Sequence, residues 1–268
     1  MTQAYFTSAQ PQSEPHMPPG WRVMKFDSLD GTNAALRRIV EIEGDAVEGL
    51  TLMAKTQTAG RGRMQRTWES PEGNVYASVL VKAPSAEASS PQIGFVAAIA
   101  IADAVLEMPR HNAPPPDVTY KWPNDLLVGG GKVCGILPEL VSGVDGDRWI
   151  VVGFGVNLIE VKVEDAAYPV GALSAQNIDT TPEHAMTLIC RALSDRLTEW
   201  RDKGFQHIRQ VWLERAPTLG SQVSVGTPSG TESGTFAGID EDGALLLDGP
   251  QGRRRILAGD VLFAGGAS

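Results

Sequence analysis

Two short segments hold the residue sets best suited to chemistry. Gly60-Arg61-Gly62-Arg63-Met64-Gln65-Arg66 puts three guanidinium groups within seven residues, beside glycines that let the backbone approach a ligand closely. Arginine pairs bidentately with carboxylate or phosphate, and exposed amides add donors, so the loop suits a nucleotide or a carboxylate. The same composition also fits a solvated basic loop. Lys121-Trp122-Pro123-Asn124-Asp125 reads as a strand end, because Pro123 cannot join a central ladder and biases Trp122 toward extended geometry. A lysine there can set its ammonium over negative charge that develops in a reaction, and Asp125 can take a metal or fix the turn. A plain turn with an exposed lysine is the competing reading. Neither segment has the spacing of a P-loop, and Gly153-Phe154-Gly155 lacks the third glycine of a dinucleotide fingerprint.

The elements that must position these segments alternate in type. Leu36, Ile39, Val40 and Ile42 recur near helical spacing within residues 34–43, with Asp30, Thr32 or Asn33 as cap and Gly44 as stop. Strands are expected at 50–54 and 75–82, flanking the arginine loop, so strand, loop and strand build one candidate site. Ile93, Val96, Ala97, Ala100, Ala104 and Val105 form a helical stripe that prolines from Pro109 to Pro116 end. Residues 118–122, 132–141 and 149–158 read as strands, the first two parted by the turn Gly129-Gly130-Gly131. Met186, Ile189, Leu193, Leu197 and Trp200 mark a helix ending near Gly204, with another over 205–215. After Pro217 come five short strands with close turns, 222–226, 235–239, 244–247, 253–257 and 261–263, the pattern of a small β-barrel. The fold class is therefore α+β: a mixed sheet flanked by helices, followed by that barrel.

Composition narrows the function. With 268 residues, 42% of them hydrophobic, the chain can bury a substantial core. Its 32 acidic residues against 23 basic ones give a net charge of -9, which opposes attraction to nucleic acid phosphates. Residues 1–20 hold four prolines and no basic-then-apolar leader, so they are expected to form a flexible arm and not a signal peptide. The most apolar stretch, 93–106, is too short for a membrane span and contains Asp103. Cys134 and Cys190, without metal or redox spacing, suit buried thiols in a reducing cytoplasm. Nothing before Trp21 reads as a helix-turn-helix.

Taken in order, Gln57-Thr58-Ala59-Gly60-Arg61-Gly62-Arg63 and Lys121-Trp122-Pro123-Asn124-Asp125 resemble the biotin protein ligase family. Thr32-Asn33, Lys132-Val133-Cys134-Gly135-Ile136-Leu137 and Gly153-Phe154-Gly155-Val156-Asn157 agree with it, and the terminal strands resemble its SH3-like domain. The resemblance implies a class II synthetase-like catalytic domain over 21–216 and an SH3-like domain over 217–268. It implies that ATP and biotin, usually with Mg2+, give biotinyl-5'-AMP, and that biotin then passes to a lysine of a carboxylase's biotin carrier domain. By the same resemblance Thr32, Asn33 and Gln57 bond the ureido ring, while Gly60, Arg61, Gly62 and Arg63 close over carboxylate and adenylate. Lys121 is then the catalytic cation, Trp68 flanks the adenine or shields the pocket, Asn124 and Asn157 lie by the nucleotide, and Gly135 and Ile136 line the bed of the biotin chain. Neither DNA nor membrane is an expected partner, and a homodimer stays open.

The chain departs from the family's pattern at Gly31, where serine is usual, at Gln65, where glycine is usual, and at Pro138, where an aliphatic residue is common. A ureido hydrogen bond and the ease of loop closure are the properties these changes touch. The rival readings are a lipoate-type ligase and a sensor that binds biotin or its adenylate without catalysis.

Overall fold

The computed structural model describes residues 17–44, 46–83, 90–111, 113–144, 146–163, 168–227 and 230–263. The expected N-terminal arm therefore lies outside the described residues up to position 16.

Seven strands form the larger sheet: β1 (Arg22–Leu29), β2 (Leu50–Gln57), β3 (Val75–Lys82), β4 (Val118–Lys121), β5 (Asp125–Val128), β6 (Gly131–Ser142) and β7 (Arg148–Val156). Their spatial order is β1-β2-β3-β7-β6-β5-β4, with β1 and β2 parallel and the other neighbours antiparallel. This is the expected mixed sheet. Its central strands β3 and β7 are almost wholly buried, which their apolar runs demand once both faces are covered.

Side chains alternate across a strand, so each face of β3 has its own task. Val75, Ala77, Val79 and Val81 pack with α2 (Ser90–Glu107) and α3 (Pro182–Leu213) in one core. Leu80 faces the other way, into a smaller cluster with Leu36 of α1 (Thr32–Arg38), and Ser78 shares that side. On β7, Ile150, Val152, Phe154 and Val156 join the large core, leaving Gly153 and Gly155 on the α1 face. Two glycines on that face open a trough in the sheet.

Five antiparallel strands make the second sheet: β8 (Gln222–Thr227), β9 (Gly230–Ile239), β10 (Leu245–Gly249), β11 (Gly252–Ile256) and β12 (Asp260–Phe263), in the order β11-β10-β9-β8-β12. The strands fall where the sequence puts them, but β11 and β12 end the sheet without pairing to each other, so no closed barrel forms. The sheet is not an isolated appendage. Val223, Val225 and Phe236 belong to the same apolar cluster as Phe95 and Trp212, and the Trp122 indole donates to the Gly243 carbonyl at 2.9 Å.

Three local differences from the sequence reading have physical causes. The first helix begins at Thr32 with Gly31 as a cap that makes no side-chain bond, which frees the Thr32 and Asn33 side chains for other partners. It runs into a π turn (Ile39–Glu43), and Gly44 ends it at φ 71°. β5 is an additional strand between the Pro123 turn and the triple glycine. β1 is a second additional strand, its pattern hidden by four polar positions of eight, whereas the two C-terminal helices fall as expected on either side of Gly204, whose φ of 75° breaks the helix. No described helix is long and apolar enough to cross a membrane.

Candidate active site

A cleft of about 1080 Å³ opens over the α1 face of the large sheet. Strand alternation and the glycines of β7 explain its position, and its two ends differ in chemistry.

One end is rich in hydrogen bonds, and its charges are paired with each other, Glu139 with Arg37 and Asp30 with Arg38. Gln57, at the last position of β2, accepts from the Thr32 amide at 2.9 Å, while its Nε2 donates to Ser70 Oγ at 3.1 Å. Ser78 Oγ lies 2.7 Å from Thr32 Oγ1 and 2.6 Å from Asn33 Oδ1. The Asn33 amide donates to the Leu137 carbonyl at 3.1 Å and to Glu139 at 2.6 Å. These contacts fix the rotamers of Thr32 and Asn33 before any ligand arrives. Gly153 is required beneath them, since a Cβ there would sit 1.9 Å from Asn33 Oδ1. A Cβ at Gly31 would meet nothing nearer than 3.7 Å, so the missing serine leaves space and no strain.

The middle of the cleft carries Trp68, lying across Gly135 and Gly155. A Cβ at either glycine would come within 2.8 or 2.4 Å of the indole. Trp68 is held by its own amide, which donates to the Gly60 carbonyl at 3.0 Å. Its Nε1 edge is buried against Gly155, with no hydrogen-bond partner among the described residues.

The other end is cationic. Arg61 is exposed on the cleft wall. Arg63 Nη1 donates to the Gly259 carbonyl at 3.1 Å and to Asn124 Oδ1 at 3.4 Å, and burial pulls its pKa down against the nearby carboxylates Asp260 and Asp125. Between the arginines Met64 and Gln65 have φ of 55° and 60°. Each left-handed non-glycine residue costs on the order of 1–3 kcal/mol, and at Gln65 this follows from the departure from glycine. Asn124 donates to the Ile136 carbonyl at 2.7 Å, and buried Asn157 donates to the Gly171 carbonyl at 3.2 Å.

The structure separates the two lysines of this region. Lys121 does not line the cleft: it is 1% exposed, with its ammonium 3.0 Å from Asp125 Oδ2 and 3.5 Å from the centre of the Tyr168 ring. Burial pushes its pKa down, only partly opposed by Asp125. Lys132 does line the cleft, with its ammonium 2.8 Å from Asp125 Oδ1 and 5.3 Å from the Trp68 ring centre. Burial would raise the Asp125 pKa, but Lys132 and Lys121 together hold it below the usual carboxylate range. Lys132 therefore lines the cleft, and Lys121 lies behind it on the other oxygen of the same carboxylate.

Of the residues singled out in the sequence, Thr32, Asn33, Gln57, Arg61, Gly62, Arg63, Trp68, Asn124, Gly135, Ile136 and Asn157 line this one cleft. Gly60 and Lys121 support it from behind. Sequence reasoning passed over Ser78, whose readable signal is its place as the hydroxyl in an apolar strand, and gave no role to Lys132, the second residue of β6, although its motif was noted. Tyr168 and Asp260 come from distant segments and carried no signal.

Comparison with known proteins agrees with this geometry. Residues 40–157 match the model of the biotin/lipoate A/B protein ligase family, and residues 218–263 match that of the biotin protein ligase C-terminal domain. The biotin–acetyl-CoA-carboxylase ligase of Paracoccus denitrificans is 36% identical over 88% of this chain and 98% of its own length. The bifunctional ligase/repressor BirA of Bacillus subtilis is 30% identical over 90% of this chain and 74% of its own. Among solved structures, the biotin protein ligase of Aquifex aeolicus in complex with biotin and ATP superposes with a TM-score of 0.73 at 25% identity, covering 90% of this chain and 97% of that one. A two-ended cleft on a mixed sheet, and relatives similar along nearly the whole length, establish that this chain is an enzyme of the biotin protein ligase family.

Proposed function

We propose that the chain joins biotin to ATP as biotinyl-5'-AMP and passes the biotinyl group to a lysine of a carboxylase's biotin carrier domain. The observation that carries this reading is the polarity of the cleft. Fixed neutral donors and acceptors at Thr32, Asn33 and Gln57 suit a ureido ring, and the cations Arg61, Arg63 and Lys132 suit a carboxylate meeting a phosphate.

A carboxylate has no leaving group and is a poor electrophile, so activation must come first. The biotin carboxylate oxygen attacks the α-phosphorus and pyrophosphate leaves, giving a mixed anhydride. Lys132 and the arginines of the 60–66 loop, the lid of the cleft, stabilise the charge on the phosphate and carboxylate oxygens. In the second step the acceptor amine attacks the anhydride carbonyl and AMP departs. Only the neutral amine reacts, and at pH 7 it is on the order of a thousandth or less of a lysine with ordinary pKa. Asp125, kept ionised by its two lysines, is a weak base, so desolvation at the cleft mouth is left to favour the neutral amine.

Mg2+ has no protein-built cage in this site. Among the described residues no group of three or more His, Cys, Asp or Glu is placed to hold a metal, and Asp125 and Asp260 are taken up by cations. The ion accordingly belongs with the ATP phosphates, where Mg2+ commonly keeps most of its ligands.

Incubation with ATP, Mg2+, biotin and a carboxylase carrier domain, followed by intact-mass measurement of the carrier, tests the reading. A mass gain of one biotinyl group supports it. Biotin binding without pyrophosphate release would mark a sensor instead, and stabilisation by lipoate but not biotin a lipoate-type ligase.

A further inference from the structure

The lid is tied to the C-terminal sheet at one carboxylate. Asp260, the first residue of β12, forms an ion pair with Arg66 and lies 3.7 Å from Arg63, across nearly two hundred residues of sequence. The preceding carbonyl, Gly259, accepts from the same Arg63 guanidinium at 3.1 Å. Next to these contacts the Tyr168 hydroxyl donates to the Val261 carbonyl.

The anchor itself is firm. Asp260 to Phe263 pair along β8, and Gly259 packs so closely that a Cβ would sit 2.7 Å from the Gly226 carbonyl oxygen. The lid is the opposite: an exposed turn whose two central residues, Met64 and Gln65, hold left-handed conformations that side chains disfavour. Within the lid the Gly62 amide to Arg66 carbonyl bond, at 2.7 Å, the Arg66 amide to Arg63 carbonyl bond, at 3.2 Å, and a weak Arg66 side-chain contact close the turn above the Arg61–Thr67 bridge at its base. A strained turn persists when its surroundings over-determine it. Here the surroundings are a carboxylate that grips the residues on both sides of the strained pair.

We propose that Asp260 is a positioning residue for the arginine lid: it staples Arg63 and Arg66 to the C-terminal sheet and so keeps the lid seated over the cleft. The consequence for the reaction, retention of the adenylate, rests on the function proposed above. The staple itself does not.

The test therefore has two arms. In the first, the ligand-free full-length protein is digested with limiting trypsin, and cleavage after Arg61, Arg63 and Arg66 is followed by mass. Asp260→Asn, which keeps the shape but loses the charge, should be cut in the lid about tenfold faster than wild type, because proteolysis tracks the population of the open segment. Asp260→Glu should restore the rate to within about threefold, and Asp248→Asn, on the same sheet but paired with exposed Arg253, should leave it unchanged. Should Asp260→Asn fold poorly, Arg66→Met removes the other half of the staple from an exposed position and should speed cleavage after Arg61 and Arg63. Lid cleavage at the wild-type rate in Asp260→Asn, or in Arg66→Met where that variant replaces it, overturns the proposal.

In the second arm biotinyl-AMP formed in place is followed through a desalting column. Asp260→Asn should release it about tenfold faster, with KM for biotin within about twofold of wild type. If the wild type forms no adenylate the proposed function fails, and the tryptic arm still decides whether the staple exists. Adenylate retention unchanged beside faster tryptic cleavage would overturn the lid's part in holding the intermediate.

Discussion

Lys132 Nζ lies 2.8 Å from Asp125 Oδ1, while the other oxygen of that carboxylate is engaged by Lys121 at 3.0 Å. One buried carboxylate thus holds two lysines in different surroundings, Lys132 on the cleft and Lys121 buried. On the function proposed above, Lys132→Ala removes the cleft-facing ammonium and should slow biotin-dependent pyrophosphate exchange by roughly 10²- to 10³-fold, the scale for one preorganised donor. Asp125 keeps Lys121 as partner in that variant, so its melting temperature should change little. Lys121→Met leaves Asp125 with Lys132, but water cannot replace an ammonium that is 1% exposed as it can one that is 26% exposed, so the loss is larger, up to about the 3–5 kcal/mol of a fully broken buried pair. Exchange rates and thermal melts of the two variants read the difference directly. Equal loss of rate with no loss of stability in Lys121→Met would return that lysine to the chemistry.

Ser78 predicts a different kind of defect. Its hydroxyl is wholly buried and meets both Thr32 and Asn33, whose free valences at the cleft would then bond the ligand's ring. Ser78→Ala leaves those partners unsatisfied, at a cost of about 1–3 kcal/mol. Biotin affinity measured by calorimetry should fall roughly 10- to 100-fold, because each 1.4 kcal/mol is tenfold. Binding of ATP alone should not change.

These two predictions show what the sequence could and could not deliver. Period-two and helical patterns placed β3, β7, α2 and the Gly204 break, because those elements are long and buried on definite faces. β1 and β5 escaped: β1 is an edge strand with four polar positions of eight, and β5 is four residues between two turns. The arginine loop and Gly135 were legible because chemistry and motif coincide there. The sequence singled out Lys121, and only packing reveals that Tyr168 and Asp125 enclose it while Lys132, two strands on, faces the cleft. Asp260 and Tyr168 reach the cleft through tertiary contacts alone, so no local pattern announces them.

Glu199 links the two halves of α3 across the Gly204 kink. It meets Lys203 at 2.9 Å on one side and His207 at 2.7 Å on the other, with Arg196 as a third partner. The Lys203 bond first, then Arg196 and His207, outweigh burial and lower its pKa from 4.5 to about 2. A depressed carboxylate stabilises the fold above its unfolded pKa and loses that contribution as pH falls through the folded value. The window here runs from 4.5 down to about 2. Discounted for solvent, the effect is roughly 1–2 kcal/mol. Wild type should lose melting temperature steeply across that window, and Glu199→Gln, less stable at neutral pH, should show a flatter acid limb. Parallel acid limbs for the two proteins would remove Glu199 from the account.

Gly155 offers the sharpest steric prediction. A Cβ at this position would lie 2.4 Å from Trp68 Nε1 and 2.5 Å from the neighbouring ring carbon, so Gly155→Ala cannot be accommodated with the indole where it is. The strand cannot yield, because Gly155 pairs with Tyr76 on one side and Gly135 on the other in the middle of the sheet. The indole must lift instead, and with it the segment that Gly60 and Ser70 hold to the Trp68 backbone. The fold should survive, since the added methyl faces the cleft and not the core. Trp68 also forms the wall between the two ends of the cleft, so its displacement weakens the contact on which a carboxylate and a phosphate are brought together. A misplacement of about 1 Å can cost on the order of 10²-fold in rate. Gly155→Ala should therefore lose pyrophosphate exchange on that scale, with a red-shifted tryptophan emission as the indole meets water and a melting temperature near that of wild type. An unshifted emission spectrum together with wild-type exchange would mean that the trough tolerates a side chain and that Trp68 is not its lid.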